Sequence, residues 1–411
     1  MKPIALIATT SRWFPTARLG MALAKVGFIV DAVCPCRNPI SVTSAVRRTY
    51  AYHGLAPLQS LSSAITATRP DLIVPCDDIA IIQLHELYDR ERHRGKAGES
   101  ICSLIERSLG APESFSVVGE RTTFMHLAEQ EGVRAPKTEV IGNVSDLRNW
   151  ESRVGFPAVL KSDGTWGGAG VRIVRTFAEA ERAFKTLQAP PLLARAVKRA
   201  SIDRDLTLIW PSLLRTRHVV NVQAFVAGRE ATSTIACWEG TILASLHFEV
   251  LNKHDATGPA TVMRLIENDD MSSAAEKMVR RLKLSGIVGF DFMIEAQTGN
   301  AHLVEINPRA TQVGHLALGI GRDLPGALYA AVSGGIVQES PKVTENDTIA
   351  LFPHEWLRNP DSPFLQSGYH DVPWEEADLI RVCVGTRQKQ TALYSQRKQV
   401  QAFATARIPR Q

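Results

Sequence analysis

The sequence predicts an α/β chain, with a parallel-sheet unit over about residues 1–115 followed by an α+β unit. Three observations carry this reading. Short apolar runs alternate with helix-period stretches near the start. Two apolar runs then bracket a glycine-rich loop in "FPAVLKSDGTWGGAGVRIV". Later, "GFDFMIE" and "HLVEINPR" flank the turn signal "QTGN". Alternating strand and helix favours an open parallel sheet, whereas runs joined by a short turn favour antiparallel pairs.

Taken in order, "PIALIATT" reads as a buried strand. Leu19, Leu23 and Val26 then mark one face of a helix over Arg12 to Val26, which Gly27 stops. "FIVDAVCP" is a second strand, "LSSAITATRP" a helix ending before Pro70, and "DLIVPCDD" another strand. Ligands on such sheets sit beyond the carboxyl ends of the strands, so the loops after Thr10 and Pro75 belong there. Asp77 and Asp78 are weak substrate-site candidates; the alternative is a helix cap or first-turn role. A helix carrying Phe124, Leu127 and Ala128 opens the next unit, and "FAEAERAFKTL" and "MSSAAEKMVRRLKL" are further helices. Between them, residues 191–220 form a basic insertion with six Lys/Arg and two Asp. "VVNVQAFVAGREATSTIACW" is strand-rich, and Pro and polar residues increase after about 340.

Composition excludes little but is consistent. The net charge of +5 does not by itself imply nucleic acid, and none is expected as a partner. No apolar run reaches the ~18 residues of a membrane span or resembles a signal peptide. Six cysteines in 411 residues do not make a disulfide framework, and a cytoplasmic setting fits best. Cys34 and Cys36 form a lone C-x-C, either a metal or redox pair or, as the plainer reading, small residues at a strand end.

Two clusters carry chemistry. Gly164, Gly167, Gly168 and Gly170 follow Lys161 between two strands. Glycine lets backbone N–H groups approach an anion, and the lysine supplies a fixed charge, so the loop reads as a phosphate cradle. It is neither a Walker A loop nor a dinucleotide fingerprint, and a ligand-free glycine hairpin is the other reading. The second cluster is Asp291, Glu305 and Asn307. If the chain reverses at "QTGN", Asp291 falls nearly opposite Glu305, and Asn307 shares the face of Glu305. Two carboxylates among apolar residues repel, and a divalent cation resolves this; oxygen ligands suit Mg²⁺ or Mn²⁺. The alternative is a solvated hairpin end with an Arg309 salt bridge. Register is not fixed by the sequence.

In combination, "VLKSDGTWGGAGV", "VQAFVAGRE", "GFDFMIE" and "VEINPR" resemble the ATP-grasp superfamily over about 115–335. The resemblance implies an N-terminal parallel-sheet (pre-ATP-grasp) domain at 1–115, a small lobe at 116–220 that includes the insertion, a large lobe at 221–335 and a C-terminal extension at 336–411. It implies ATP, two Mg²⁺ ions and a lid formed by residues 164–170. Lys161 would contact the α-phosphate and adenine side. Arg121 stands where the family usually has its first nucleotide lysine. Gln223 replaces a glutamate that reads the adenine amino group, Ala224 and Val226 would offer hinge backbone groups, and Glu230 would bind ribose. Asp291, Glu305 and Asn307 would hold magnesium, and Arg309 would steady the phosphoryl group. By position, Lys253, His254 and Arg264 should approach the γ-phosphate and the acceptor.

The implied activity is an ATP-dependent ligase that activates a carboxylate as an acyl phosphate for attack by an amine, with both as small-molecule partners. A homodimer is compatible with it. A bicarbonate-activating enzyme of the carbamoyl-phosphate or carboxylase type, and a non-catalytic ATP-binding protein, are the alternatives. His315 resembles a histidine of the biotin carboxylase pattern, but Gly314 stands where that pattern has its acid.

Overall fold

The computed structural model describes residues 2–163, 170–190, 218–256, 258–337 and 341–406. Gly164, Gly167, Gly168 and residues 191–217 of the basic insertion lie outside these. Among the described residues the strands form three sheets, of four, seven and four strands.

The first sheet is parallel throughout, in the order β3 (Val46–Ala51), β2 (Ile29–Cys34), β1 (Ile4–Ala8), β4 (Leu72–Pro75). Its helices form where the apolar spacing predicts. Phe14–Val26 has proline at its start and buries Leu19 and Leu23, and Gly27 closes it at φ 119°. That conformation favours glycine, and a Cβ there would meet the Tyr329 ring at 2.9 Å. Alternate strand residues go to opposite faces. Ile7 and Val30 pack under this helix, while Leu6 and Val33 pack under the helices Pro57–Thr68, Asp78–Arg92 and Glu99–Leu109. Strand β3 is not evident in the sequence, because as an edge strand its "VRRTYA" is mostly exposed.

The small sheet runs β5 (Thr138–Ile141), β8 (Val220–Ala224), β6 (Ala158–Ser162), β7 (Val171–Val174) and is antiparallel. Ala158, Leu160, Val220 and Val222 face the helices Val144–Arg153 and Phe177–Gln188. The alternation then sends Lys161, Asn221 and Gln223 to the other face.

The large sheet runs β13 (Ala301–Asn307), β12 (Gly286–Glu295), β9 (Gly228–Trp238), β10 (Thr241–Lys253), β11 (Ala260–Leu265), β14 (Thr348–Ala350), β15 (Tyr369–His370). One face packs on the helices Arg121–Gln130 and Asp269–Leu282. The other shares a core with the first sheet and with residues 349–393. The stretch after 336, read from sequence as an extension, therefore supplies two strands to this sheet. Glu376 also reaches back to accept hydrogen bonds from Thr43 and Ser44.

Candidate active site

Lys161, Asn221 and Gln223 project from the small sheet toward β13. Lys161 Nζ donates to the Val304 carbonyl at 3.4 Å and lies 3.9 Å from Glu305. Gln223 Nε2 donates to Thr138 Oγ1 at 3.0 Å and to the same carbonyl at 3.4 Å, so its amide N–H groups are held by protein. Arg121, at the start of its helix, inserts between Glu305 (2.9 and 3.0 Å) and Asp163 (3.4 Å). The next residue, Thr122, donates to the buried Asn221 at 2.6 Å.

The register across the hairpin pairs Asp291 with Glu305 and Gly289 with Asn307. On β12, Phe290 and Phe292 turn to the core, so Asp291 faces the cleft. On β13 the ladder carries one irregularity: Asp291 opposes Glu305, but Phe292 opposes Leu303. Val304 is the extra residue, a β-bulge. The bulge lets Leu303 enter the core while Glu305, two residues on, faces the cleft. Its carbonyl is the acceptor shared by Lys161 and Gln223. At Gly289 a Cβ would lie 2.5 Å from Thr311 Cγ2, so this position admits only glycine without movement. Thr311 is held by a 2.6 Å bond to Thr234.

Burial sets the charge states. It pushes Asp291 above its usual value, and the Glu305 carboxylate adds to this. Burial pushes Glu305 the same way, but Arg121 and Lys161 outweigh it and hold Glu305 at about 2. Burial and the Arg121 charge lower Lys161 to about 8 against the pull of Glu305. Asn307 Nδ2 donates to Asp291 at 2.9 Å. The two carboxylates are oxygen donors of the kind that fits Mg²⁺ or Mn²⁺, and Asn307 would join them once its amide oxygen turns from Arg309. Among the described residues no group of three or more His, Cys, Asp or Glu is placed to hold a metal ion.

Arg309 is gripped from the first sheet. Its Nε and NH2 meet Asp78 at 2.8 and 3.2 Å, NH2 also reaches Asn307 Oδ1 at 3.2 Å, and its guanidinium lies 5.8 Å from the Trp13 ring centroid. The salt bridge to Arg309 read as an alternative for Glu305 is thus made by Asp78.

The other candidates are placed as follows. Arg264 does not join the cluster: it opposes Glu249 on β10, whose register partner Ala231 points into the core on the far face of the sheet from Asp291. There it pairs with Glu249 at 2.8 Å, which Arg229 also holds. Lys253, the last residue of β10, meets Glu230 at 2.6 Å and the Ala256 carbonyl. His254 sits at the exposed turn of the β10–β11 hairpin. Ala224 donates its N–H to Lys137, which leaves only its carbonyl for a ligand, and Val226 lies mid-hinge between β8 and β9. Asp77 is a helix cap, accepting bonds from Thr9, Thr10 and Ala80. His315 pairs with buried Asp371 at 2.6 Å. Gly170 is buried and its carbonyl accepts from Ser162. Sequence reasoning missed Gly289, Thr311, Thr122, Asn221 and Asp163. Asn221 carried a signal, being a polar residue two positions before Gln223 on an apolar strand.

Residues 120–320 match the family described as carbamoyl-phosphate synthase L chain, ATP binding domain. The arginine-specific carbamoyl phosphate synthase large chain of Halalkalibacterium halodurans is 22% identical over 340 residues, covering 78% of this chain and 30% of that one. The carbamoyl phosphate synthase large chain of Methanoregula boonei is 27% identical over 213 residues, covering 51% of this chain and 18% of that one. The chain thus spans less than a third of the length of these relatives. The N5-carboxyaminoimidazole synthetase of Staphylococcus aureus, complexed with ADP, shares the fold at a TM-score of 0.57 and 14% identity, over 82% of this chain and 79% of that one. The biotin carboxylase domain of Hydrogenobacter thermophilus 2-oxoglutarate carboxylase, complexed with MgADP and bicarbonate, does so at 0.56 and 13%, over 83% and 72%. By this match and by the cleft they build, residues 120–320 form a domain of the ATP-grasp superfamily.

Proposed function

We propose that the chain is an ATP-dependent ligase that activates a carboxylate as an acyl phosphate and joins it to an amine. The observation that carries this reading is the Asp291–Glu305 pair facing Lys161, Arg121 and Gln223 across one cleft, with Arg309 at its end. A pair of carboxylates alone repels ATP; Asp291, Glu305 and Asn307 would hold one or two Mg²⁺, and the loaded site would attract phosphate. The metal supplies charge neutralisation and polarises phosphoryl oxygens. Lys161, Arg121 and the loop 164–170 hold the phosphates, Gln223 and the Ala224–Val226 hinge meet adenine, and Glu230 meets ribose. The substrate carboxylate oxygen attacks the γ-phosphorus and the bond to ADP breaks. The amine nitrogen then attacks the acyl carbon, phosphate leaves with the electron pair, and the amine loses a proton. Arg309 stabilises charge on the transferred group. The reaction runs in the cytoplasm on small molecules.

The match to carbamoyl-phosphate synthase favours one second reading, bicarbonate as the activated acid. A screen of acid and amine pairs for ADP release, with Mg²⁺ and mass spectrometry of products, separates the two. The ligase reading expects ADP only when both partners are present; release driven by bicarbonate alone sinks it. Glu305→Ala should lower turnover by about 10²-fold or more.

A further inference from the structure

We propose that Asp78, at the start of the Asp78–Arg92 helix of the first sheet, is a positioning residue that aims Arg309 at the transferred phosphoryl group. The inference rests on the ligase reading, in which Arg309 meets that group. The geometry is specific. Asp78 takes the Nε–NH2 edge of the guanidinium side-on, which sets both the plane and the rotation of the fork. Asn307 accepts from NH2 and the Ala310 carbonyl from NH1, at 3.2 and 3.3 Å. A guanidinium has five N–H donors, so one NH1 proton lies outside these four bonds. A single edge of Arg309 is thereby left to face a ligand.

The backbone supports the same alignment. Ala310 N donates to the Pro75 carbonyl at 3.0 Å, joining the end of β4 to the segment that carries Arg309. Asp77 caps the helix and ties the β1 loop, which leaves its neighbour Asp78 to face Arg309. Trp13, from the loop after β1, lies against the guanidinium. The two loops at the carboxyl ends of β1 and β4 thus act on the phosphoryl site through one arginine. Asp78 was read from sequence as a substrate-site candidate or a first-turn residue; it stands in the first turn of its helix, and both its oxygens engage Arg309.

A docking salt bridge without a role in phosphoryl placement would affect ADP and ATP binding alike, and this sets the test. Calorimetry with Mg²⁺ compares ADP with the non-hydrolysable AMP-PNP, for the full chain and for Asp78→Asn, Arg309→Ala and the double variant. The wild-type chain should prefer AMP-PNP, and Arg309→Ala should lose that preference. Asp78→Asn should keep its affinity for MgADP and lose about tenfold or more of the preference, as expected when a reacting group is misplaced by a fraction of an ångström. The double variant should be no worse than Arg309→Ala. Asp78→Ala, if Asp78→Asn does not fold, should give the same ratio. Full preference retained in the Asp78 variants overturns the inference, as does a parallel loss for both nucleotides or an additive loss in the double variant. If Arg309→Ala itself keeps the preference, the assignment of Arg309 fails and Asp78 falls with it. That pattern is distinct from one in which only the Asp78 variants are silent.

Discussion

At the residue scale, Gly289 leaves the site little room for change. Its missing side chain lets Thr311 and Asn307 close over β12. Gly289→Ala should displace Thr311, cost about 1–3 kcal/mol of stability and lower turnover more than it lowers ADP affinity. Thr311→Ser removes the methyl that clashes, so the double variant should recover part of both losses in melting and rate measurements. Asp291 shows the opposite balance. It is buried beside another carboxylate, so Asp291→Asn removes a repulsion. That variant should melt at a higher temperature than the parent yet lose Mg²⁺-dependent turnover. A lower melting temperature would show that the carboxylate is structurally needed.

At the element scale the Val304 bulge decides the site. Without it, Leu303 and Glu305 would share a face, and one of the core or the cleft would lose its residue. Deleting Val304 should leave the hairpin folded, since Leu303 and Glu305 then alternate regularly. It should weaken nucleotide binding, because Lys161 and Gln223 lose their common acceptor. Calorimetric ADP affinity beside a far-UV spectrum tests both halves. This element also marks the limit of what the sequence discloses. The two strands and their turn follow from apolar runs around "QTGN", whereas the facing of Asp291 and Glu305 needed the register. The bulge does not follow either, because one extra residue in a ladder leaves no compositional trace. Arg264 was misplaced for a related reason: its strand was legible, but which face it presents depends on pairing with β10. Strands β14 and β15 are three and two residues long, too short for a periodic signal. The N-terminal parallel sheet, by contrast, was readable because each strand is a buried apolar run.

At the scale of the whole molecule, burial pushes down His302 and, further, four other histidines. His85, His247, His354 and His370 each stand at about 4. In the unfolded chain each titrates near 6.5. A group with a depressed folded value stabilises the native state above its unfolded value and loses that contribution as pH falls. The melting temperature should therefore drop progressively between about pH 6.5 and 4. His247, between Ser233 Oγ at 2.7 Å and Ser272 Oγ at 3.0 Å, is the clearest single contributor. His247→Gln should flatten the slope in that window; an unchanged slope would place the acid sensitivity elsewhere. Among the described residues, the same scale contains the side-chain ion pair of greatest separation in sequence, Arg18 to Asp371, which also takes His315. It binds the first helix, the segment after Arg309 and the end of the large sheet into one buried ion cluster. On a ribosome adding about 5–20 residues per second, Arg18 would wait roughly 20–70 s for the carboxylate 353 residues downstream. Until then the first sheet carries a cation shaped for burial and no anion to bury it with. The unit that is made first is thus among the last to be finished.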